Sequence, residues 1–78
     1  MEAKLRFTYD READILHIDK VKPYMDQETE ELEDDVIARM NPKTNEIENV
    51  EVLFFSTRLL RGEDLFELPV FPSMKKAV

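Results

Sequence analysis

Large apolar side chains recur at every second residue over most of the first three quarters of the chain. Leu5, Phe7 and Tyr9 alternate with Lys4, Arg6 and Thr8; Leu16 and Ile18 flank His17; Val50, Val52 and Phe54 alternate with Glu51 and Leu53. Successive side chains of a strand point to opposite faces, so this rhythm predicts a sheet with one apolar and one mixed face. Leu5, Phe7, Leu16, Ile18, Val50 and Val52 are expected to lie together beneath a dry cover.

The first strand is expected over residues 4–9. Residues 10–13 break the alternation, with Asp10 suited to open a turn through its side chain. A second strand follows over residues 14–21 and stops before Pro23, which has no N–H for a ladder. Residues 24–34 form a long acidic connection. One helical turn around residues 29–32 is the alternative there, with too few apolar positions to make a docking stripe. A third strand over residues 35–40 carries Val36, Ala38 and Met40 on one face and Ile37 and Arg39 on the other. Asn41-Pro42-Lys43-Thr44-Asn45 is the clearest turn: Asn leads, Pro fixes the next dihedral, and Asn45 suits the left-handed conformation. The fourth strand, residues 46–54, becomes apolar on both sides towards its end.

After Phe54 the period changes. Ser56 or Thr57 is expected to cap a short helix through residues 58–61, with Gly62 placed to stop it. The stretch from Leu65 to Pro72 is apolar and interrupted by Pro69, so it does not continue as a regular helix. It either folds back over the apolar sheet face or packs on another chain. The expected fold is α+β: a four-stranded antiparallel β-meander followed by a short α-helix and an irregular C-terminal tail. Residues 1–62 form the meander-plus-helix module, and residues 63–78 are its apolar extension.

The chain has 78 residues, room for one small domain with a single core. Ordering costs about 1.5 kcal/mol per residue, which nearly cancels what burial contributes at this size. There is no cysteine, hence no disulfide framework and no thiolate metal site. A partner surface is the natural supplement, and a homodimer is the expected form. The net charge is −7, from 18 acidic and 11 basic residues, many of the acids lying between Asp26 and Asp35. Such a surface repels a phosphate backbone and attracts basic proteins. No nucleic acid is expected as a ligand, and a basic protein is the expected type of partner. No apolar run approaches the roughly 20 residues that cross a bilayer, and residues 1–4 do not begin a signal peptide. The expected location is cytoplasmic, with no membrane contact.

Candidate chemistry changes this picture little. Asp10, Glu12 and Asp14 have the spacing that opens an EF-hand loop, but Ile15 occupies the position that needs glycine and Val21 the position that needs glutamate. Hairpin-opening by Asp10, with Asp14 capping or bridging its far side, is the better reading. The acidic run from Glu28 to Asp35 is expected to be a solvated loop that keeps the sheet edge from mispairing, with docking of a basic partner as the functional alternative. His17 is the only histidine. Mid-strand on the mixed face, it is expected beside Arg39 or a glutamate rather than in a triad. No catalytic, cofactor-binding or metal-binding residue is assigned, no cofactor is expected, and the balance leans away from an enzyme. Among the aromatics, Tyr9 and Phe54 are expected in the core, whereas Phe55, Phe66 and Phe71 are hard to bury within one chain. The candidate interaction surface is therefore Phe55, Leu65, Phe66, Leu68, Val70 and Phe71, with Glu30 and Glu31 on the acidic run. The leading function is a non-enzymatic protein-interaction module; the alternative is a small enzyme or ligand-binding protein with a site at a dimer seam using His17, Asp14 or Arg39.

Three stretches resemble a known family: Tyr9-Asp10-Arg11-Glu12-Ala13-Asp14-Ile15-Leu16-His17-Ile18, Glu30-Glu31-Leu32-Glu33-Asp34-Asp35-Val36-Ile37 and Ile47-Glu48-Asn49-Val50-Glu51-Val52-Leu53. They are similar to the small prokaryotic proteins grouped as domain of unknown function 2283, over roughly residues 5–60. The Tyr-Asp-x-Glu-Ala-Asp stretch is the specific part. What the resemblance implies is a four-stranded antiparallel meander followed by a helix, with no established activity. Through relatives found beside small toxin-like proteins, it also implies an antitoxin or partner-binding role. Two departures stand out: Asn41 to Asn45 replaces a glycine turn common in the family, and the segment after Gly62 extends beyond it.

Overall fold

The computed structural model describes residues 4–60, with Leu59 described by its backbone alone. The elements in chain order are β1 (Arg6–Asp10), β2 (Ile15–Asp19), β3 (Glu28–Glu33), β4 (Val36–Met40), β5 (Ile47–Leu53) and α1 (Phe55–Leu60). All strand pairings are antiparallel, in the spatial order β1-β2-β5-β4-β3. The described fold is mostly one antiparallel β-sheet, with one short helix.

The sheet has five strands where four were expected, and the order is not a meander. The additional strand is β3, which lies in the acidic segment expected to be a loop or a helical turn. The last strand, β5, inserts between β2 and β4. Its composition accounts for this: Ile47, Val50 and Val52 are fully buried, as is Asn49, and only a central strand covers both flanks of so apolar a segment. The segment 20–27 then carries the chain past the ends of β5 and β4 to the far edge. Three strand spacings are about 14 Å, well within the roughly 26 Å that such a segment spans when extended.

Cross-strand register builds apolar rows. Phe7, Ile18, Val50 and Ala38 form one row, and Tyr9, Leu16, Val52 and Val36 form the next. The dry part is confined to the middle of the sheet: Ile18, Val36, Ala38, Met40, Ile47, Val50 and Val52 are buried, with Leu16, Leu32 and Phe55 packed against them. The expectation that six positions share one dry side holds for the face and fails at β1. Phe7 is 65% exposed, Leu5 44% and Tyr9 41%, because β1 is an edge strand. Phe54, expected in the core, is 53% exposed, whereas Phe55 packs inward.

Turn chemistry follows the sequence closely. Asp10 Oδ1 accepts hydrogen bonds from Glu12 N and Ala13 N, opening the first hairpin as expected. Asn41 Oδ1 accepts from Lys43 N and Thr44 N, and Asn45 takes a left-handed φ of 62°. Asp14, Asp35 and Phe54 also have positive φ. Aspartate and asparagine tolerate that region, whereas a phenylalanine there costs roughly 1–2 kcal/mol.

The burial gradient along one row is measurable. Val50→Ala is expected to lower unfolding free energy by about 2 kcal/mol, and Phe7→Ala, in the same row at the open edge, by less than about 1 kcal/mol. Urea denaturation of the two variants tests this; equal losses would contradict the gradient.

Candidate interaction surface

Two polar joints fix the geometry of the sheet, one at each end. At the first, the Asp14 carboxylate reaches the start of α1. Phe54 occupies the capping position, since Arg58 N donates to its carbonyl, and its side chain has no acceptor to offer. Asp14 supplies the cap from a distance: its Oδ1 accepts from Ser56 N at 2.8 Å, its Oδ2 from Ser56 Oγ at 2.9 Å, and its carbonyl from Phe55 N at 3.1 Å. The helix therefore starts at Phe55, earlier than expected, and Ser56 and Thr57 donate to the cap instead of forming it. Tyr9 completes the joint. Its hydroxyl donates to Asp14 Oδ1 at 2.6 Å, and its ring meets Phe55 edge to face at 6.0 Å.

Charge at this joint is shared unevenly. The Tyr9 hydrogen bond, followed by the donors of Ser56, draws the Asp14 carboxyl from 3.8 down to about 2. The same bond raises the pKa of the Tyr9 phenol, because ionising it would remove a donor from a carboxylate.

At the opposite end, a bulge between β4 and β5 pairs Arg39 with Asn49 and Met40 with Ile47, leaving Glu48 without a counterpart on β4. Glu48 and Asn49 use that irregularity to hold the crossing segment. Asn49 Oδ1 accepts from Gln27 Nε2 at 2.7 Å, and its Nδ2 donates to Asp19 Oδ1 and to the Val21 carbonyl. Glu48 accepts from the Tyr24 hydroxyl at 2.7 Å, from Gln27 and from Asn41. Burial pushes the Glu48 carboxyl upward, but those three donors and the nearby Lys20 outweigh it and hold the pKa below its ordinary value. The bond to Glu48 raises the pKa of Tyr24.

The two edges of the sheet differ in chemistry. β3 presents Glu28, Glu30, Glu31 and Glu33, all but Glu30 exposed. The acidic run is thus an edge strand itself, not a loop shielding one, and like charges on an edge oppose strand addition. An open cleft of about 690 Å³ lies beside it, with Glu28, Glu30, Met40 and Glu46 in its walls. β1 is exposed at every position, alternating Arg6, Thr8 and Asp10 on the mixed face with Phe7 and Tyr9 on the apolar one. Sequence reasoning assigned β1 to the core and overlooked it as a surface. The signal was present in the nearly neutral, charge-alternating pentapeptide Arg6-Phe7-Thr8-Tyr9-Asp10.

The residues singled out from sequence are distributed as follows. Glu30 and Glu31 lie on β3, and Phe55 packs against the core. Leu65, Phe66, Leu68, Val70 and Phe71 lie outside the described residues, as does Gly62. His17 stands opposite Glu51 across the β2–β5 pair, and Arg39 binds the same Glu51 through Nη2 at 2.9 Å and Nε at 3.0 Å. Asp14 lies at the helix joint instead. Among the described residues, no group of three or more His, Cys, Asp and Glu side chains is placed to hold a metal, and no helix is long and apolar enough to cross a membrane.

Both joints yield measurable expectations. Asp14 is depressed in the folded state, so its contribution to stability is complete above its ordinary value of 3.8 and is lost as pH falls through about 2. Thermal melts from pH 5 to pH 2 should show the wild type losing stability across that window and Asp14→Asn changing less; parallel curves would contradict the assignment. Asn49→Ala removes a buried amide and leaves its half-buried partners Gln27 and Asp19 unmet, which should cost about 2 kcal/mol. Asn49→Asp places a carboxylate against Asp19 and the Val21 carbonyl, so it should cost more at neutral pH, with part of the difference recovered in acid. Urea titrations at two pH values check both.

A family model described as a protein of unknown function, DUF2283, matches residues 6–56. No match was found among curated proteins or among solved structures. The matched segment spans all five strands and reaches the helix joint at Ser56, which includes Tyr9, Asp14, Glu48 and Asn49. With well over half of its residues aligned, the chain belongs to the DUF2283 family of proteins of unknown function.

Proposed function

We propose that this chain is a non-enzymatic protein-interaction module, acting in the cytoplasm as a homodimer. The observation that supports this most directly is the exposed apolar margin at β1. Phe7 continues a row whose other members, Ile18, Val50 and Ala38, are buried, yet it is itself 65% exposed. A side chain of that size at the open end of a dry row gains burial from a neighbour that covers it, and large exposed aromatics are characteristic anchors of interfaces. The small core adds to the argument, because a domain with thin stability gains from association.

The acidic β3 edge supports a second contact, to a basic protein. Such a partner is steered by the charge of Glu28, Glu31 and Glu33, and the complex weakens as salt rises. Masking of a basic protein, the task of an antitoxin, would use this acidic edge.

Sedimentation equilibrium of the full chain over a range of concentrations is expected to show a mass above monomer. Phe7→Lys should weaken that association by about tenfold or more while leaving the thermal midpoint of the monomer nearly unchanged. A chain that stays monomeric at every concentration would remove the homodimer.

A further inference from the structure

We propose that β1 pairs with β1 of a second copy of this chain, in antiparallel register about Thr8, joining two five-stranded sheets into one of ten strands. This rests on the homodimer reading above and specifies its interface.

The five residues of β1 are self-complementary under a twofold axis. With Thr8 opposite Thr8 of the second copy, Arg6 of each chain faces Asp10 of the other, and Phe7 faces Tyr9. Opposite charges directly across an antiparallel pair are favourable, as are aromatic pairs on a shared face. Within its own sheet Arg6 already stands across from Asp19, so a second carboxylate on its open side leaves it flanked by acids on both sides. Antiparallel pairing about a dyad is isologous and closes after two chains, which prevents continued growth from that edge.

The apolar rows also become continuous. Ala38, Val50, Ile18 and Phe7 of one copy run on into Tyr9, Leu16, Val52 and Val36 of the other, because Phe7 and Tyr9 end adjacent rows. Phe7 thereby gains the cover that its own chain's described residues do not supply. The opposite edge does not offer the same contact: β3 against β3 sets Glu28, Glu30, Glu31 and Glu33 against their own copies, and its register is broken by a bulge between Glu31 and Glu33. A pairing of β1 with β3 brings a single cation, Arg6, to four glutamates and leaves unpaired edges for further addition. The charge pattern therefore selects β1 on β1.

The absence of cysteine makes the register directly testable. Thr8 is exposed, so Thr8→Cys is compatible with folding, and on the dyad its thiol meets its own copy at the separation of directly opposed cross-strand residues, within reach of a disulfide. In glutathione buffer the full-length Thr8→Cys variant should form a covalent dimer much faster than Thr29→Cys, an exposed position on β3. In sedimentation experiments Arg6→Glu should weaken association by about tenfold or more, and the double variant R6E/D10R should recover it, with circular dichroism verifying that each variant is folded. If the wild type dimerises but Thr8→Cys cross-links no faster than Thr29→Cys, and Arg6→Glu has no effect, the interface lies elsewhere; the inference then fails while the homodimer stands. If the wild type is monomeric at every concentration, both fail.

Discussion

The burial of β5 is the constraint from which the rest of the architecture follows. Ile47, Val50 and Val52 lie on its apolar side, Asn49 is buried on the other, and no edge position could cover both. Once the last strand occupies the centre, β2 and β4 become its neighbours, and β1 and β3 are pushed to the rims. The pairing of β2 with β5 brings together residues thirty or more positions apart, so the hairpins made locally are held by one non-local ladder. Among the described residues each rim strand then has one side without a strand neighbour, and the two sides differ in composition.

The two joints act where this ladder is weakest, at its ends. Asp14 ties the first hairpin to the end of β5 by replacing a cap that Phe54 does not provide, and Tyr9 fixes the carboxylate that does so. Asn49 and Glu48 perform the equivalent task for the crossing segment, through donors from Gln27, Tyr24 and Asn41. The stretch carrying the family resemblance, Tyr9 to Asp14, thus has a structural explanation: Asp10 makes the turn, Asp14 caps the helix, and Tyr9 bridges from strand to cap. The Asp10 and Asp14 carboxylates accept hydrogen bonds from protein donors.

How much of this could be read in advance depended on whether the information was local. Alternation located β1, β2, β4 and β5, and the side chains of Asp10 and Asn41 announced their turns, because each signal is complete within a few residues. β3 was hidden by its own composition: an edge strand has little to bury, so glutamates replace the alternation by which strands are recognised. Strand order was hidden for a different reason, since nothing in residues 20–27 states which neighbour the next strand will take. The helix start was misplaced at Ser56 and Thr57 because the capping group comes from Asp14, far away in sequence. The exchange of Phe54 for Phe55 followed, as the positive φ of Phe54 ends the strand alternation one residue early. For the proposed surface, Glu30 and Glu31 were recognised by charge, whereas Phe7 was assigned to the core because alternation gives the face of a side chain and not its distance from the edge.

That last difference bears on why a sheet with two open edges need not aggregate. Exposed strands add indiscriminately unless something prevents it, and the usual safeguards are charge, bulges or coverage. β3 carries the first two: its glutamates repel one another, and its register shifts beside β4. β1 has no bulge and balances one cation, Arg6, against one anion, Asp10, and its side chains are large and apolar on one face. An edge of that kind is safe when its charges accept a single arrangement that closes on itself. Arg6 and Asp10, placed symmetrically about Thr8, meet that condition in antiparallel register, and a shift by two residues sets one of them against Thr8. Under the proposed pairing, the same five residues that limit the core at one rim would also specify the partner, so that a small domain would draw both stability and specificity from one strand.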